Sequence, residues 1–333
     1  MFRSTGVWAA VAAVAVASSA MAFGTVGKMG QNFEHERITR HALGCKAGGL
    51  PQGLCFESDS LDEIAGKPPT WRGIFWGAVG APDNPARLLM TSSIAHCDNG
   101  DFVDSPGYPN TREKAQGQLI ACRAEMDRNL NRAVEDAAAL LDDRGRIKNS
   151  EIPTIISCTY VKVRGPTVRA KCNVLEDLGL VLHAAQDFYS HSNWVDHQST
   201  AALSLENPRG LNNTGKAEWL NLRRDQPFPD GLITGCFDIL SNVSTDAGCP
   251  GHVKHYYLNK DKGQIDPTIG KGSTPRGQID DNFKKAVEAA VEDSKDKFYT
   301  FKERLEAKYG PAKAALLVCA ITHDNPVKTC RAS

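Results

Sequence analysis

Ten cysteines, all lying between positions 45 and 330, constrain this chain more than any other feature. If their thiols are oxidised, the fold must accommodate five covalent loops. Oxidation depends on export, and the first residues argue for it. Arg3 precedes an apolar run from Val7 to Ala17, and Ala20-Met21-Ala22 forms a small-x-small cleavage site. Residues 1–22 therefore read as a signal peptide cleaved before Phe23, with a membrane anchor as the alternative. The run is shorter than the roughly 18 apolar residues a spanning helix needs. No cysteine follows the cleavage site, so a lipoprotein anchor is not expected. An even cysteine count in an exported chain suggests a disulfide framework. Spacing favours local pairs: Cys45 with Cys55, Cys158 with Cys172, Cys236 with Cys249 and Cys319 with Cys330, leaving Cys97 for Cys122. Connectivity does not follow from spacing alone. A thiolate metal cluster is the rival, disfavoured because the chain has no CxxC pair.

The 333 residues include 41% hydrophobic and 23% charged positions, an ordinary globular balance. Lys+Arg and Asp+Glu both total 39. Neutrality argues against a broad polyanion-binding face, though not against a local basic groove. No segment after the leader approaches the length of a transmembrane helix. The expected product is one exported, soluble domain over 23–333, secreted or periplasmic.

Apolar residues recur at three- and four-residue steps in 112–142, 173–191 and 276–308, which predicts three long helices. Shorter helices are expected at 33–43 and 311–321. A hairpin is the reading for 154–170, and 195–275 reads as loop-rich. The fold class expected is mainly α, a single helical domain with long disulfide-tied loops.

One of these helices carries chemistry. His183, Asp187 and His191 stand four residues apart, so at about 100° per residue they form one stripe. Imidazole and carboxylate are the usual zinc ligands when thiolate is not used, and an i, i+4 pair can reach one ion. Gly179, one turn earlier, would leave room for an ion or substrate. The competing reading is a solvated face, since the apolar arc lies on the opposite side. Neighbouring Asn193 and Trp194 suggest the mouth of a cleft. Other candidate ligands are His35, the His96/Asp98 pair around Cys97, and His252, His255 and Asp261 after Cys249. His41, His197 and His323 read as structural or exposed. The chain has no GxSxG, P-loop or dinucleotide fingerprint, so any chemistry should be metal-borne.

The stretch His-Ala-Ala-Gln-Asp-Phe-Tyr-Ser-His-Ser-Asn-Trp-Val (183–195) resembles the signature of the Het-C family, named for a fungal heterokaryon incompatibility protein. Phe-Glu-His-Glu-Arg-Ile-Thr (33–39), His96-Cys-Asp98 and the run from Cys249 to Asp261 resemble further segments of that family, in the same order. More remotely, the His-x3-Asp helix followed by another His is similar to zinc-dependent phospholipase C and S1/P1-type nucleases. Two departures stand out: His191 follows Asp187 sooner than in those enzymes, and their late His-x3-Glu helix is replaced by His255-x5-Asp261.

The remote similarity implies a helical domain of the phospholipase C/P1 nuclease type, holding up to three divalent ions, zinc by preference. Asp187 would bridge two ions. His183, His96 and Asp98 would hold one, and His35 the ion across Asp187. His191, with His252 or His255 and Asp261, would hold the third. In those enzymes the mature N-terminal residue can also ligate metal, a place Phe23 would take. The implied function is an exported metal-dependent phosphodiesterase of the phospholipase C kind. Asp98 would be the base to test, Asp187 the second catalytic carboxylate, and the substrate a phosphodiester, as in a phospholipid or membrane surface. The alternatives are a non-enzymatic Het-C-type toxin or interaction protein with structural metals, and an S1/P1-like nuclease. Nucleic acid is the less favoured partner.

Overall fold

The computed structural model describes residues 23–25, 31–67, 77–84, 87, 89–152, 158, 160, 168–238, 248–265 and 270–330. The expected signal peptide lies outside them, as does most of 154–170, where a hairpin is expected. Eight α-helices are described: α1 Glu34–Leu43, α2 Ser58–Ala65, α3 Arg112–Ala137, α4 Ala170–His191, α5 His255–Leu258, α6 Asn282–Tyr309, α7 Pro311–Thr322 and α8 Pro326–Thr329. The only named strands among these residues are β1 Gly263–Gln264 and β2 Lys271–Gly272, antiparallel with Gly263 opposite Gly272. The architecture is mainly α, and the described part of 195–275 is mostly irregular.

Local chemistry sets the helix ends. Thr111 Oγ1 accepts the Lys114 N–H at 3.3 Å and caps α3, whose last turn tightens into a 3₁₀ segment at Ala138–Leu140. The helix expected from 276 begins only at Asn282, because Asp280 has φ +45° and breaks the repeat. Gly310, at φ +79°, ends α6, and Pro311 opens α7 without wasting an amide donor.

All five cysteine pairs expected from spacing are disulfides. Each closes a loop and restricts the unfolded chain, by about 2–4 kcal/mol for a typical bridge. Among the described residues no helix is long and apolar enough to cross a membrane.

Helix α4 is the axis of the molecule. It packs against α3 on one side and α6 on another, and meets α1, α2 and the 3₁₀ turn Ala78–Gly80. All its residues except Asn173 and Leu180 are buried. Leu175, Leu182, Ala185 and Phe188 join the main core. The polar stripe is buried as well, so the solvated-face reading is overturned: a helix enclosed on all sides has no face left for water. At the start of α4, Lys171 Nζ donates to Ser60 Oγ at 2.9 Å and to the His323 carbonyl at 2.8 Å, tying α2 and the end of α7 to it.

Burial of Lys171 pushes its pKa down from 10.5 to about 8, against the pull of Asp324 and Glu63. Between those values the unfolded chain binds the extra proton. The contribution of Lys171 to stability should therefore be flat below pH 8 and rise with pH from about 8 to 10.5. In Lys171→Met that rise should vanish, which urea unfolding at pH 7 to 10.5 would measure.

Candidate metal centre

Three imidazoles converge on Asp187. His35 Nε2 lies 3.0 Å from Asp187 Oδ1, while His96 Nδ1 and His183 Nε2 lie 2.8 Å and 3.0 Å from Oδ2. His96 and His183 are 3.0 Å apart through those same nitrogens. Asp83 Oδ1 stands 3.8 Å from His183 Nε2 and 4.0 Å from His96 Nδ1. The ligands of a tetrahedral zinc ion, with bonds of 2.0–2.2 Å, are spaced about 3.3 Å apart. The spacing around His96, His183, Asp187 and Asp83 brackets that value.

The outer nitrogens decide which tautomer each ring adopts. His183 Nδ1 donates to the Val79 carbonyl at 2.8 Å, and His96 Nε2 to the Leu89 carbonyl at 3.2 Å. His35 Nδ1 donates to Gln186 Oε1 at 2.7 Å. The Gln186 amide is itself fixed, because its nitrogen donates to Thr39 and Ser294. Each ring thus spends its first proton outward and turns its other nitrogen toward Asp187. A bare lone pair facing a carboxylate is repulsive, so the centre requires positive charge: a second proton on the ring, or a metal ion.

Unmet hydrogen bonds point the same way. Both oxygens of Asp83 are buried with no hydrogen-bond partner among the described residues, while His35 Nε2 and Asp187 Oδ1 meet only each other, at 3.0 Å. Buried polar atoms are rarely left so, because the lost solvation is not recovered. The donor set, nitrogen and carboxylate oxygen only, suits zinc.

A second cluster lies at the end of α4. His191 Nδ1 and His255 Nδ1 lie 3.0 Å and 3.1 Å from Asp98 Oδ1. Their Nε2 atoms lie 3.3 Å and 3.2 Å from the two oxygens of Asp261. Ser190 Oγ donates to Asp261 Oδ1 at 2.6 Å. Two rings between two carboxylates can balance charge as imidazolium ions, and Asp98, His191 and His255 stand close enough together to share a cation, with His191 Nδ1 also 3.1 Å from the His96 carbonyl. Burial opposes the charged form of His191, but Asp98, Asp187 and Asp261 hold its pKa well above the usual range. Asp187 is held well below the carboxylate range: burial opposes ionisation, but His183, His35 and His191 outweigh it.

Three expectations are corrected. Asp98 does not join His96 and His183. Cys97 and Asn99 both have positive φ and turn the chain, so His96 faces Asp187 and Asp98 faces His191. His252 joins neither cluster: its Nδ1 lies 2.7 Å from Asp101 Oδ2, which also accepts the Tyr108 hydroxyl. Of the two late histidines, His255 is the one that meets His191 and Asp261. Gly179 leaves no space for an ion either. A Cβ there would come within 2.3 Å of the Ala78 backbone, so the glycine admits the turn whose Val79 carbonyl orients His183. Trp194 is half-buried, and its indole N–H donates to the Gly215 carbonyl at 3.1 Å.

Asp83 was not legible as a ligand. It stands in Ala-Pro-Asp-Asn-Pro (81–85), a loop with neither periodicity nor a neighbouring histidine. Residues 23 and 24 reach both clusters: Phe23 is buried with its ring 6.0 Å from that of His35, and the Gly24 N–H donates to the Asp261 carbonyl at 3.2 Å.

A proton and a metal ion compete for this centre, which sets a pH dependence. Burial opposes charge on His96, yet Asp187 and Asp83 raise its pKa to about 9. Below that value a metal must displace the proton. Metal affinity should therefore climb with pH and level off above about 9, with proton release on binding. Calorimetric zinc titrations in buffers of different ionisation enthalpy would measure both effects.

Residues 109–209 match a family model described as the VWA7 N-terminal domain. The match covers less than a third of the chain. It takes in α3, α4, His183, Asp187 and His191, and leaves out His35, Asp83, His96, Asp98, His255 and Asp261. No curated protein and no solved structure matches the chain.

Proposed function

We propose that this protein is an exported, metal-dependent phosphodiesterase, built as a helical domain of the phospholipase C/P1 nuclease type and resembling the Het-C family. The observation that carries the reading is Asp187, whose two oxygens face different imidazoles, each turned inward by a hydrogen bond on its far side. Asp83, His96, His183 and Asp187 Oδ2 would hold one divalent ion, and His35 with Asp187 Oδ1 would belong to a second. Asp98, His191 and His255 would hold a third, with Asp261 behind the two rings. When bound, such ions supply Lewis-acid stabilisation of phosphoryl oxygens and lower the pKa of water toward neutrality. The protein's part is to keep the imidazoles neutral and aimed, through Gln186, Val79 and Leu89, and to exclude bulk water.

Asp98 is a poor choice of general base. It is buried, and although burial opposes ionisation, His191 and His255 hold its pKa below the usual range. A carboxylate that holds its charge so firmly takes up a proton reluctantly.

The experiment is elemental analysis of the purified mature protein beside a His183→Ala/Asp187→Ala double variant, followed by assays on phospholipid and on single-stranded nucleic acid. The reading expects zinc in the wild type, loss of zinc in the variant, and phosphodiester hydrolysis that follows the zinc. A metal-free protein that binds none on reconstitution sinks it. A second reading, structural metal in a Het-C-type interaction protein, is favoured by one observation: every ligand of the two clusters is buried, the most exposed being His96 at 4%. Closed sites of that kind hold folds together without an open coordination position. Stoichiometric zinc with no turnover on either substrate class would select it.

A further inference from the structure

A cavity of about 710 Å³ lies outside both His/Asp clusters and uses none of their ligands. It is framed by the chain just beyond them: the 102–105 loop follows Asp98, and Asn193 follows His191. Its volume falls within the range of sites that take small organic molecules. Val103, Leu205 and Ile233 supply an inner apolar wall, part of a small cluster with Val253 and Leu258 that is separate from the main core. Phe102, Phe228 and Leu232 extend it.

Asn193, which also lines the cavity, is fully paired. The Asn193 amide donates to the Arg209 and Gly231 carbonyls, both at 2.9 Å, and its oxygen accepts the Ile233 N–H at 3.0 Å. No hydrogen bond is left over there for a ligand to satisfy, so the interior favours an apolar occupant. Charge lies at the rim. The Arg112 guanidinium sits 4.7 Å over the Phe102 ring, and Asp104, which also lines the cavity, is 4.0 Å away with its side chain nearly fully exposed, so the pair is screened by solvent. Arg209 is exposed, and its guanidinium makes no hydrogen bond or ion pair among the described residues. Apolar walls with two arginines at the mouth fit a long chain ending in an anion.

We propose that this cavity binds a free single-chain amphiphile, an acyl or alkyl chain ending in a carboxylate or similar anion. The chain lies against Val103, Leu232 and Ile233, and the anionic end meets Arg112 and Arg209. The proposal does not depend on the metal reading.

The probes are octanoate, decanoate and dodecanoate, titrated calorimetrically into the mature protein below their micelle concentrations, with dodecanol as the uncharged comparison. Burying a CH₂ group is worth about 0.8 kcal/mol, so each added carbon should tighten binding by about fourfold until the cavity is full. Dodecanoate should bind several-fold tighter than dodecanol. Arg112→Gln combined with Arg209→Gln should erase that preference without weakening dodecanol. Ile233→Trp and, from the 102–105 loop, Val103→Phe should each fill the space and abolish binding while circular dichroism stays unchanged. The Asp187→Asn variant should bind as the wild type does. Absence of saturable binding, affinity independent of chain length, or undiminished binding by both folded filling variants would each overturn the proposal. Phosphatidylglycerol vesicles give the last arm. Co-sedimentation that disappears in the filling variants would assign the cavity to a membrane surface and overturn it too.

Discussion

Asp187→Asn should cost the protein its metal: affinity for zinc at the first cluster should fall by more than about 100-fold, because loss of a mere outer partner of a ligand already costs 10–100-fold. The substitution is nearly isosteric, so its effect is electrostatic. Asp187 is the one carboxylate within 3.0 Å of His35, His96 and His183. An amide carries no charge to hold a cation there, and its nitrogen can donate to only part of that set. In the metal-free wild type Asp187 also supports the raised pKa of His96, so the variant's His96 should titrate well below 9. The two states of the protein can be read by melting. A ligand at 100 times its Kd stabilises the folded state by about 2.7 kcal/mol. Added zinc should raise the melting temperature of the wild type, and that response should be absent or much reduced in Asp187→Asn. If the variant keeps full zinc content and an unchanged zinc response, the metal lies elsewhere.

How the sequence led to this site, and where it stopped, follows from the range of each signal. The His183/Asp187/His191 stripe is visible because helical spacing is local: residues four apart meet whatever the rest of the chain does. Local cysteine pairs are visible for the same reason. Burial of the stripe was not visible. It depends on α1, the 78–84 turn and the 96–98 loop closing over the side of α4 opposite its apolar arc, and none of those contacts is local. The exchange of Asp98 from His96 to His191 turns on positive φ at Cys97 and Asn99, a backbone choice that side-chain type announces weakly. Gly179 was noticed for its missing side chain, but that space admits another turn of backbone, as close approaches in packed interiors often require a residue without Cβ. Asp83 enters from a loop that carries no pattern at all.

Asp196→Ala should be among the most destabilising single substitutions in the molecule, costing about 3–5 kcal/mol in urea unfolding. Its carboxylate is fully buried between two cations, 2.9 Å from Lys260 Nζ and 2.8 Å from Arg276 Nε. Removing it leaves both positive charges in the interior with no counter-charge at that point. Lys260 also donates to the carbonyls of Ser192 and Leu258, at 2.9 Å and 2.8 Å. Those carbonyls lie just past His191 at the end of α4 and at the end of α5, so the lysine holds the two helices that carry the second cluster. A cation at a helix C-terminus also meets the negative end of its dipole. Loss of Asp196 should therefore loosen His191, His255 and Asp261 together, with weaker metal retention at that cluster even where the fold survives. Lys260→Met in the Asp196→Ala background separates the two effects. It removes one stranded charge, so part of the lost stability should return, but it also removes the donor to Ser192 and Leu258, so metal retention should not. Equal recovery of both would mean that Lys260 acts only through its charge, and that the carbonyls it grips do not position the ligands.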